Sequence, residues 1–416
     1  MSSSLLNTNQ AQPPAAVLPA TPKEQPAVCI IVENLPVPLD RRVWREASAL
    51  RDAGYRVSVI CPKGKGRCES SYESLGGIEI HRHKSWDSSG AAGYIIEYFL
   101  AFICELFLAL KVFARTRFRV LQACNPPDNI FLIALLLKPF GVRFIFDHHD
   151  LTPELFESRF GKRLRFFYRS IRVLERLTFK TANACIATNE SFREIAISRG
   201  QKRPEEVFIV RNCPELAILD PLLTSKMRLP VPFVVVYVGF MGSQDGLPIL
   251  IDAIEHIVEK EKRKDVHFVL VGGGTELPAL QASAASRGLQ EFITFTGQIP
   301  YQQVPTYISA AHVGVAPDPK TPMNDQSTMI KILEYMAFGI PTVLFDLKEG
   351  RRIAGAAALY ASPSDPVDFA RKILQLLDNE TLRRELGANG RRRIRDGLNW
   401  EAETPALLAA YRHALG

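Results

Sequence analysis

The 416-residue chain lacks the cysteine pattern of a secreted, disulfide-stabilised protein. Its seven cysteines are an odd number, no two of them form C-x-x-C, and several lie inside apolar runs. Cysteine in such surroundings behaves as a small hydrophobic residue. The pattern therefore argues against a disulfide scaffold and against a zinc ribbon, and it favours a reducing compartment.

The first residues also lack the features of a signal peptide. Residues 1–25 are rich in Pro, Ala, Ser and Gln, and no basic start is followed by an apolar core. We predict a disordered tail there. Elsewhere the composition, with 47% hydrophobic and 23% charged residues, is typical of a folded globular chain. The length allows two to three domains of roughly 150 residues each.

No long apolar run is free of charge. Residues 94–114 come nearest to a membrane span, but they contain Glu97, Glu105 and Lys111. A spanning helix seldom carries two carboxylates. Because the three charged residues fall within about a third of the helix circumference, we predict a core helix with one polar stripe. A second interpretation is a helix that also touches the membrane interface.

The net charge of +7 is only mildly basic. It suits a substrate that carries phosphate, or an anionic membrane surface, but it requires neither. The basic and aromatic segment 162–180 fits a helix lying on anionic lipid, and it fits equally a solvated basic face over a packed core. A recognition motif for nucleic acid is missing, so no nucleic-acid partner is expected.

Two series of short β-branched runs alternate with helical patterns, the first between residues 27 and 210 and the second between 233 and 345. Continuous apolar strands between helices predict parallel strands covered on both faces. The fold class predicted is therefore α/β, with two tandem Rossmann-like, doubly wound domains facing across a cleft. The predicted boundaries are 26–215 for the first domain, 216–232 for a linker, 233–395 for the second domain and 396–416 for a helix that crosses back to the first.

Three glycines follow the apolar run at 266–271. Gly272, Gly273 and Gly274 lie between this run and a helical pattern. Glycine lets a ligand approach the backbone closely, and a helix N-terminus favours anions. The spacing is not G-x-G-x-x-G, which weakens a dinucleotide interpretation. A tight strand–helix turn with no ligand explains the same residues.

The segment 319–341 is the most informative. We predict that Ser327 or Thr328 caps a helix on which Ser327, Lys331 and Glu334 share one face. A helix start with hydroxyl groups and a lysine fits a diphosphate, and a carboxylate one turn further fits a ribose diol. The alternative is a surface ion pair between Lys331 and Glu334.

The block STMIKILEYMAFGIPTVLFDL, residues 327–347, resembles the nucleotide-sugar site of the GT-B glycosyltransferases, specifically the retaining family 4 and its bacterial polysaccharide-type subgroup. The resemblance spans about residues 27–395. Segments in the family's order are also similar at 38–62, 146–156, 187–196, 207–215, 237–254, 269–277 and 295–300.

The resemblance implies an activity. It implies transfer of a sugar from a nucleoside-diphosphate sugar, UDP rather than GDP on family frequency, to a glycan acceptor that is lipid-linked. Retention of anomeric configuration, a role in polysaccharide or glycoconjugate biosynthesis, and a cytoplasmic location at the inner membrane face are implied as well. No metal or other cofactor is expected, because Lys and helix dipoles can stabilise a departing diphosphate and the loops contain no D-x-D.

The resemblance also assigns site residues. Glu334 matches the second glutamate of the family's E-x7-E motif, whose first position holds Gln326, preceded by Asp325. Beside the donor sugar, the catalytic positions are His149, Asp150, Asp325 and Gln326. Nucleotide-sugar contacts are expected from Gly242, Ser243, Gly272, Gly273, Gly274, Gly297, Gln298, Ser327, Thr328, Lys331 and Glu334. Asp40 and Arg41 are expected on the acceptor side.

The sequence departs from the family at the diphosphate. The Arg and Lys that usually follow the first strand of the second domain correspond to Phe240 and Asp245. By implication Lys331, together with the amides of Gly242 and Ser243, replaces this clamp. Two other hypotheses stay open at this point: a nucleotide-sugar epimerase or hydrolase with the same fold, and a non-catalytic partner subunit.

Overall fold

The computed structural model of the chain describes residues 26–85, 90–160, 165–216 and 232–416. The tail predicted for residues 1–25 and nearly all of the linker predicted for 216–232 lie outside these ranges.

The first sheet has eight strands in the order β3-β4-β2-β1-β5-β6-β7-β8. Neighbouring strands are parallel except β3 and β4, which are antiparallel. The strands are β1 (Ala27–Ile31), β2 (Arg56–Pro62), β3 (Tyr72–Leu75), β4 (Ile78–His83), β5 (Val120–Cys124), β6 (Arg143–His148), β7 (Ala184–Ala187) and β8 (Val207–Ile209).

The second sheet has six strands, all parallel, in the order β11-β10-β9-β12-β13-β14. They are β9 (Phe233–Val238), β10 (Val266–Val271), β11 (Ile293–Gly297), β12 (Val313–Ala316), β13 (Thr342–Phe345) and β14 (Ala358–Ala361). The two parallel sheets form the doubly wound α/β architecture that the alternation of strands and helices predicts.

Helices connect the strands of both sheets. Those between and beside the first strands are α1 (Arg41–Asp52), α2 (Gly90–Thr116), α3 (Phe131–Leu137), α4 (Thr152–Phe160), α5 (Arg165–Thr181) and α6 (Glu190–Ser198). Those of the second part are α7 (Leu247–Glu255), α8 (Leu277–Ser286), α9 (Val304–Ala310), α10 (Ile330–Phe338), α11 (Lys348–Ala354), α12 (Pro366–Asp378), α13 (Glu380–Asp396) and α14 (Trp400–Leu415).

Four strands were not anticipated by the apolar runs: β3, β4, β5 and β14. The sequence of β4 holds His81, Arg82 and His83, all of which are buried, and β5 holds the fully buried Gln122. These polar side chains interrupt the apolar pattern that identifies a central strand. Hydrogen bonds offset the burial of two of them: Gln122 Nε2 donates to Glu46 at 2.7 Å, and Arg82 Nη2 donates to Val37 O at 2.7 Å.

The polar stripe predicted on α2 was wrong. Glu105 is fully buried, whereas the exposed side of the helix carries Ile96, Phe99, Ile103 and Phe107. The helix therefore turns its carboxylate inward and its large apolar side chains outward, opposite to an ordinary surface helix. Within the described ranges, no helix has the length and apolar character needed to cross a bilayer.

Helices cover both faces of the first sheet. Residues of α2, α3 and α6 share one apolar core with that sheet, together with Phe179 of α5. On the other face α1 packs beside α14, the last helix of the chain, whose Leu407, Ala410 and Tyr411 are buried there. The chain thus returns to the first sheet after completing the second.

A buried polar network joins α14 to the centre of the first sheet. The Tyr411 hydroxyl donates to Gln122 Oε1 at 2.7 Å, and Gln122 in turn donates to Glu46 of α1. Glu46 lies 3.1 Å from Arg42, whose guanidinium holds Asp147 of β6. Burial, aided by the nearby Asp147, raises the pKa of Glu46 to about 7.

Replacing Tyr411 by Phe tests how much this network stabilises the docking of α14. The substitution leaves the buried Gln122 Oε1 without its donor, and we expect a loss of about 1–3 kcal/mol in the free energy of unfolding. The measurement is urea denaturation followed by circular dichroism. Tyr55→Phe is the matched control, because Tyr55 packs edge-on against the Tyr411 ring and its hydroxyl has no hydrogen bond among the described residues. Equal stability of the two variants would contradict the network's role.

Candidate active site

Polar contacts join the two domains on the side where the parallel strands end. Asn189, which follows β7, donates through Nδ2 to Gln326 O at 2.9 Å and to Thr328 Oγ1 at 3.1 Å. The same side chain caps α6 by accepting from Phe192 N. Nearby, the Ser191 hydroxyl donates to Glu349 Oε1 of α11 at 2.6 Å. The segment after β7 therefore fixes the residues that precede α10.

The strand-end loops of the second sheet pack too closely for side chains at two glycines. A Cβ at Gly272 would lie 1.9 Å from Gly239 O, and a Cβ at Gly274 would lie 2.4 Å from Met241 O. The Gly272 backbone also has a φ of +136°, a region that favours glycine. These two glycines are thus required by the contact between the loops after β9 and β10, independently of any ligand.

Two further predicted residues lie in the next loop. Gly297 ends β11 with a φ of +67° and forms a bridge with Gly272. Gln298 packs against Gly273, where a Cβ added to the glycine would approach the Gln298 Cβ to 3.3 Å. Gly272, Gly273, Gly274, Gly297 and Gln298 are therefore brought together at one sheet edge.

The start of α10 differs from the prediction. The helix begins at Ile330, and Met329 occupies the N-cap position with no side-chain hydrogen bond. Ser327 Oγ instead donates to Met323 O at 2.8 Å, and Thr328 Oγ1 accepts from Asn189. The hydroxyls fail to cap the helix because both already bond to partners outside it.

Lys331 lies inside the domain, with 8% of its surface exposed. Its Nζ donates to both oxygens of Asp318, at 3.0 and 3.2 Å, and lies 4.7 Å from the centre of the Tyr237 ring. Burial alone would lower the pKa of Lys331, but Asp318 and Asp245 raise it above its usual value. The surface ion pair with Glu334, considered above as an alternative, is therefore not formed.

Glu334 lies one turn further, 7% exposed, and contacts the other domain. Its Oε1 accepts from the Tyr301 hydroxyl at 3.1 Å and lies 3.4 Å from Arg41 Nη2. The Arg41 guanidinium also lies 3.5 Å from the centre of the Tyr301 ring. Burial, followed by the neighbouring Glu334 carboxylate, raises the pKa of Tyr301 to about 12. Among the described residues, no hydrogen bond involves Glu334 Oε2.

The side chains of Asp325 and Gln326 bond locally. Asp325 Oδ1 accepts from Lys348 N at 2.9 Å and lies 3.8 Å from Lys320 Nζ. Gln326 Nε2 donates to Pro322 O at 2.8 Å. Both residues thus stabilise the turn that leads into α10.

The loop after β9 provides few donors in this conformation. Gly242 N donates to Asp245 Oδ2 at 2.9 Å, and Ser243 follows in the same turn. Burial raises the pKa of Asp245, with Lys331 opposing the shift. Phe240, which stands where the family has a cation, is 55% exposed. The described side chains of this loop therefore place no positive charge beside Lys331.

On the first domain, the turn 149–152 is held by one amide side chain. Asn125 Oδ1 accepts from His149 N at 2.9 Å and from Asp150 N at 3.2 Å, while its Nδ2 donates to Asp150 O and Thr152 Oγ1. Burial raises the pKa of Asp150. His149 and Asp150 therefore have a fixed backbone at the end of β6.

His149 is charged by its neighbour. Its Nδ1 lies 3.5 Å from Asp147 Oδ2. Burial alone would lower the pKa of His149, but the hydrogen bond and charge of Asp147 raise it to about 9. Burial would likewise raise the pKa of Asp147, but Arg42 and then His149 lower it well below its usual range. The adjacent His148 is buried among Phe146, Phe179 and Phe192, and burial lowers its pKa to about 3.

Asp40 and Arg41 begin the first helix at the cleft. Asp40 caps α1 by accepting from Val43 N at 3.0 Å, so its carboxylate has a structural partner. Arg41 is 43% exposed on its side chain and reaches Glu334 of the second domain. Several neighbours of the predicted residues were not found from the sequence, namely Asn125, Asn189, Tyr301 and Asp318, because their roles depend on contacts between distant segments.

The comparisons with known proteins agree with this architecture. Residues 39–213 match the family described as glycosyl transferase 4-like domain, and residues 232–379 match the family described as glycosyl transferases group 1. Alpha-D-kanosaminyltransferase from Streptomyces kanamyceticus is 27% identical over 158 residues, which cover 38% of this chain and 39% of that enzyme. The chain spans about two fifths of the length of the first curated relatives that it matches.

Solved structures share the fold over nearly the whole chain. Sucrose-phosphate synthase from Thermosynechococcus elongatus superimposes with a TM-score of 0.75 at 19% identity, covering 93% of this chain and 98% of that one. HepE of Anabaena, solved with UDP and glucose, gives a TM-score of 0.66 at 15% identity, covering 92% and 99%. With two family matches in tandem and two facing parallel sheets, the chain belongs to the GT-B glycosyltransferases of family 4.

Proposed function

We propose that the protein transfers a sugar from a nucleoside-diphosphate sugar to a glycan acceptor, with retention of the anomeric configuration. The proposal rests on Glu334, a nearly buried carboxylate at the domain interface. Its hydrogen bonds with Arg41 and Tyr301 all use Oε1. A carboxylate with a second oxygen to offer can accept from both hydroxyls of a ribose. HepE, solved with UDP and glucose, shows that a protein of this fold holds such a ligand.

Positive charge for the departing diphosphate comes, in this proposal, from both domains. Lys331 is paired with Asp318, which reduces its net field, and the Phe240 position has no cation. Arg41 is the exposed guanidinium nearest Glu334 and is free to turn toward a phosphate once the ribose takes the carboxylate. His149, charged at neutral pH, adds to the stabilisation from the first domain. No metal is required at the diphosphate, and attack from the face of departure needs no side-chain nucleophile.

The outer surface of the first domain supports a lipid-linked acceptor. Exposed apolar side chains lie on α2 and α3, with exposed lysines and arginines among and beside them; we call this surface the apolar layer. Its apolar members include Ile96, Phe99, Ile103, Phe107, Leu110, Leu132, Leu135 and Leu136, and its basic members include Lys111, Arg115 and Lys138. Exposed hydrophobic surface rimmed by cations fits the interface of an anionic bilayer. A peripheral position on the inner face of the cell membrane follows.

Nucleotide binding tests the donor site. A ligand at 100 times its dissociation constant should stabilise the folded protein by about 2.7 kcal/mol. Thermal unfolding is therefore measured with UDP, GDP, ADP and their sugars. We expect the melting temperature to rise with UDP and its sugars. Glu334→Gln removes a charged acceptor of ribose hydroxyls and should weaken binding by about 1.5–3 kcal/mol, at least tenfold.

Glu380→Gln is the matched control, because Glu380 is an exposed carboxylate that pairs with Arg384 on the surface of α13. It should bind nucleotide like the native chain. A native-like shift in Glu334→Gln would contradict the ribose role. If the folded protein responds to none of the nucleotides, the non-catalytic partner subunit becomes the better explanation.

The charge of His149 should appear in the pH dependence of stability. Its pKa of about 9 in the folded protein lies above the ordinary 6.5, so its stabilising contribution is full below pH 6.5 and is lost as pH rises to about 9. The melting-temperature difference between the native chain and His149→Asn should therefore shrink from pH 7 to pH 9.5.

His267→Asn provides the comparison. Burial lowers the pKa of His267, so the residue is neutral throughout this window and its variant should track the native chain at a constant offset. Parallel curves for His149→Asn and the native chain would show that the imidazolium is absent.

Membrane association is tested with vesicles. The native chain should co-sediment with vesicles containing phosphatidylglycerol, and less so in high salt. Replacing both Phe99 and Phe107 with Ser removes two of the most exposed side chains of the apolar layer, and each should cost about 1.5–3 kcal/mol of binding. Phe240→Ser, an equally exposed site on the second domain, should bind vesicles normally. Unchanged sedimentation of the double variant would remove the apolar layer from the membrane contact.

A further inference from the structure

Three titratable side chains meet at the strand ends of the first sheet, apart from the residues assigned to the donor. Glu33 follows β1, His83 ends β4 and Glu105 lies in the middle of α2. One ligand atom from each lies within 4.8 Å of the others. All three are enclosed: the side chains of Glu33 and His83 are 8% and 2% exposed, and Glu105 is completely buried.

The hydrogen bond on one side of His83 determines what its other side offers. Nδ1 lies 2.9 Å from the carbonyl oxygen of Lys84, an atom that can only accept, so Nδ1 carries a proton. Nε2 is the ring nitrogen left for coordination, and it faces Glu33 Oε2, 3.0 Å away. Histidines that bind metal ions characteristically donate their second N–H to a backbone carbonyl, which orients the ring.

Glu105 brings a second carboxylate into this space. Neither of its oxygens accepts a hydrogen bond from a donor among the described residues. Burying a carboxylate without a partner is costly, so a cation held between the two carboxyl groups and the imidazole would stabilise the cluster.

We propose that Glu33, His83 and Glu105 bind a divalent transition-metal ion such as zinc or manganese. One imidazole nitrogen and two carboxylates form a common donor set for these ions, with a further position open to water. Metal–ligand distances of about 2.0–2.2 Å place ligand atoms roughly 3.4 Å apart in a tetrahedron. That value lies between the 3.0 Å that separates His83 Nε2 from Glu33 Oε2 and the 4.8 Å within which all three ligand atoms lie.

A second group with suitable ligand atoms does not carry the same inference. Cys124, Asp147 and His149 also converge, but Asp147 gives both of its oxygens to Arg42, at 2.7 and 3.0 Å. The guanidinium and the charged His149 already balance the carboxylate there. Among the described residues, no lysine or arginine forms an ion pair with Glu33 or Glu105.

The ion would join α2 to the ends of two strands. On α2, Glu105 points inward and the apolar layer lies on the exposed side. The metal would therefore hold in place the helix that we propose contacts lipid. This role is independent of the proposed sugar transfer.

Metal content of the full-length protein tests the proposal. The purified chain, freed of any affinity tag, is treated with chelator and dialysed against micromolar Zn²⁺ or, separately, Mn²⁺, and bound metal is measured by mass spectrometry. We expect one ion per chain and a higher melting temperature in the loaded protein. A native chain that binds neither ion would overturn the site and leave a shared proton to hold the carboxylates.

Two variants locate the ion. Glu105→Gln should lose the bound ion and the metal-dependent rise in melting temperature. Without metal it should melt no lower than the native apo-protein, because the amide has no charged form for burial to disfavour. This outcome separates a lost site from a failure to fold. Cys124→Ser should keep the ion. Retained metal in Glu105→Gln, or its loss in Cys124→Ser alone, would assign the ion elsewhere.

Discussion

The buried ion pair between Arg42 and Asp147 is the constraint on which the cleft side of the first domain depends. Arg42 donates twice to Asp147 and once to Val210 O, so one guanidinium joins α1, the end of β6 and the chain after β8. A charge this deeply buried must keep its partner, since an orphaned one costs several kcal/mol. The pair therefore positions two nearby residues: Arg41, which precedes Arg42 and reaches the second domain, and His149, two residues after Asp147, whose pKa that carboxylate raises.

The distribution of positive charge across the cleft differs from the one that the family resemblance implies. Where the resemblance implies two cations for the diphosphate, the second domain has an exposed phenylalanine and a half-buried aspartate, and the remaining lysine is neutralised by Asp318. The exposed positive charge near Glu334 belongs instead to Arg41 of the opposite domain. If the proposed donor site is right, an anionic donor would need groups from both domains, and its affinity would be coupled to their approach.

Local pattern predicted the fold better than it predicted the site. Apolar runs such as 27–31 and 233–238 identified central strands because parallel strands are buried on both faces. The same rule missed β4, which holds the buried His81, and β5, whose buried Gln122 is satisfied by Glu46 and Tyr411, far away in sequence. Glu334 was found because a helix repeat relates it to Lys331, whereas Asn189 and Tyr301 act through contacts that no spacing reveals. The inward turn of Glu105 was missed for the same reason.

The return of the chain in α14 has a mechanical consequence. The backbone passes between the domains twice, once after Pro214 and once before Trp400, and the two passages are joined where Trp400 N donates to Pro214 O. Because the described ends of the two passages meet at this hydrogen bond, we expect the domains to move relative to each other by bending there. Other contacts between the domains, such as that of Asn189 with Thr328, are polar, and water can replace them. The apolar core around Tyr411 would stay intact during such a motion. Opening would therefore break polar contacts between the domains and leave the apolar docking of α14 unchanged.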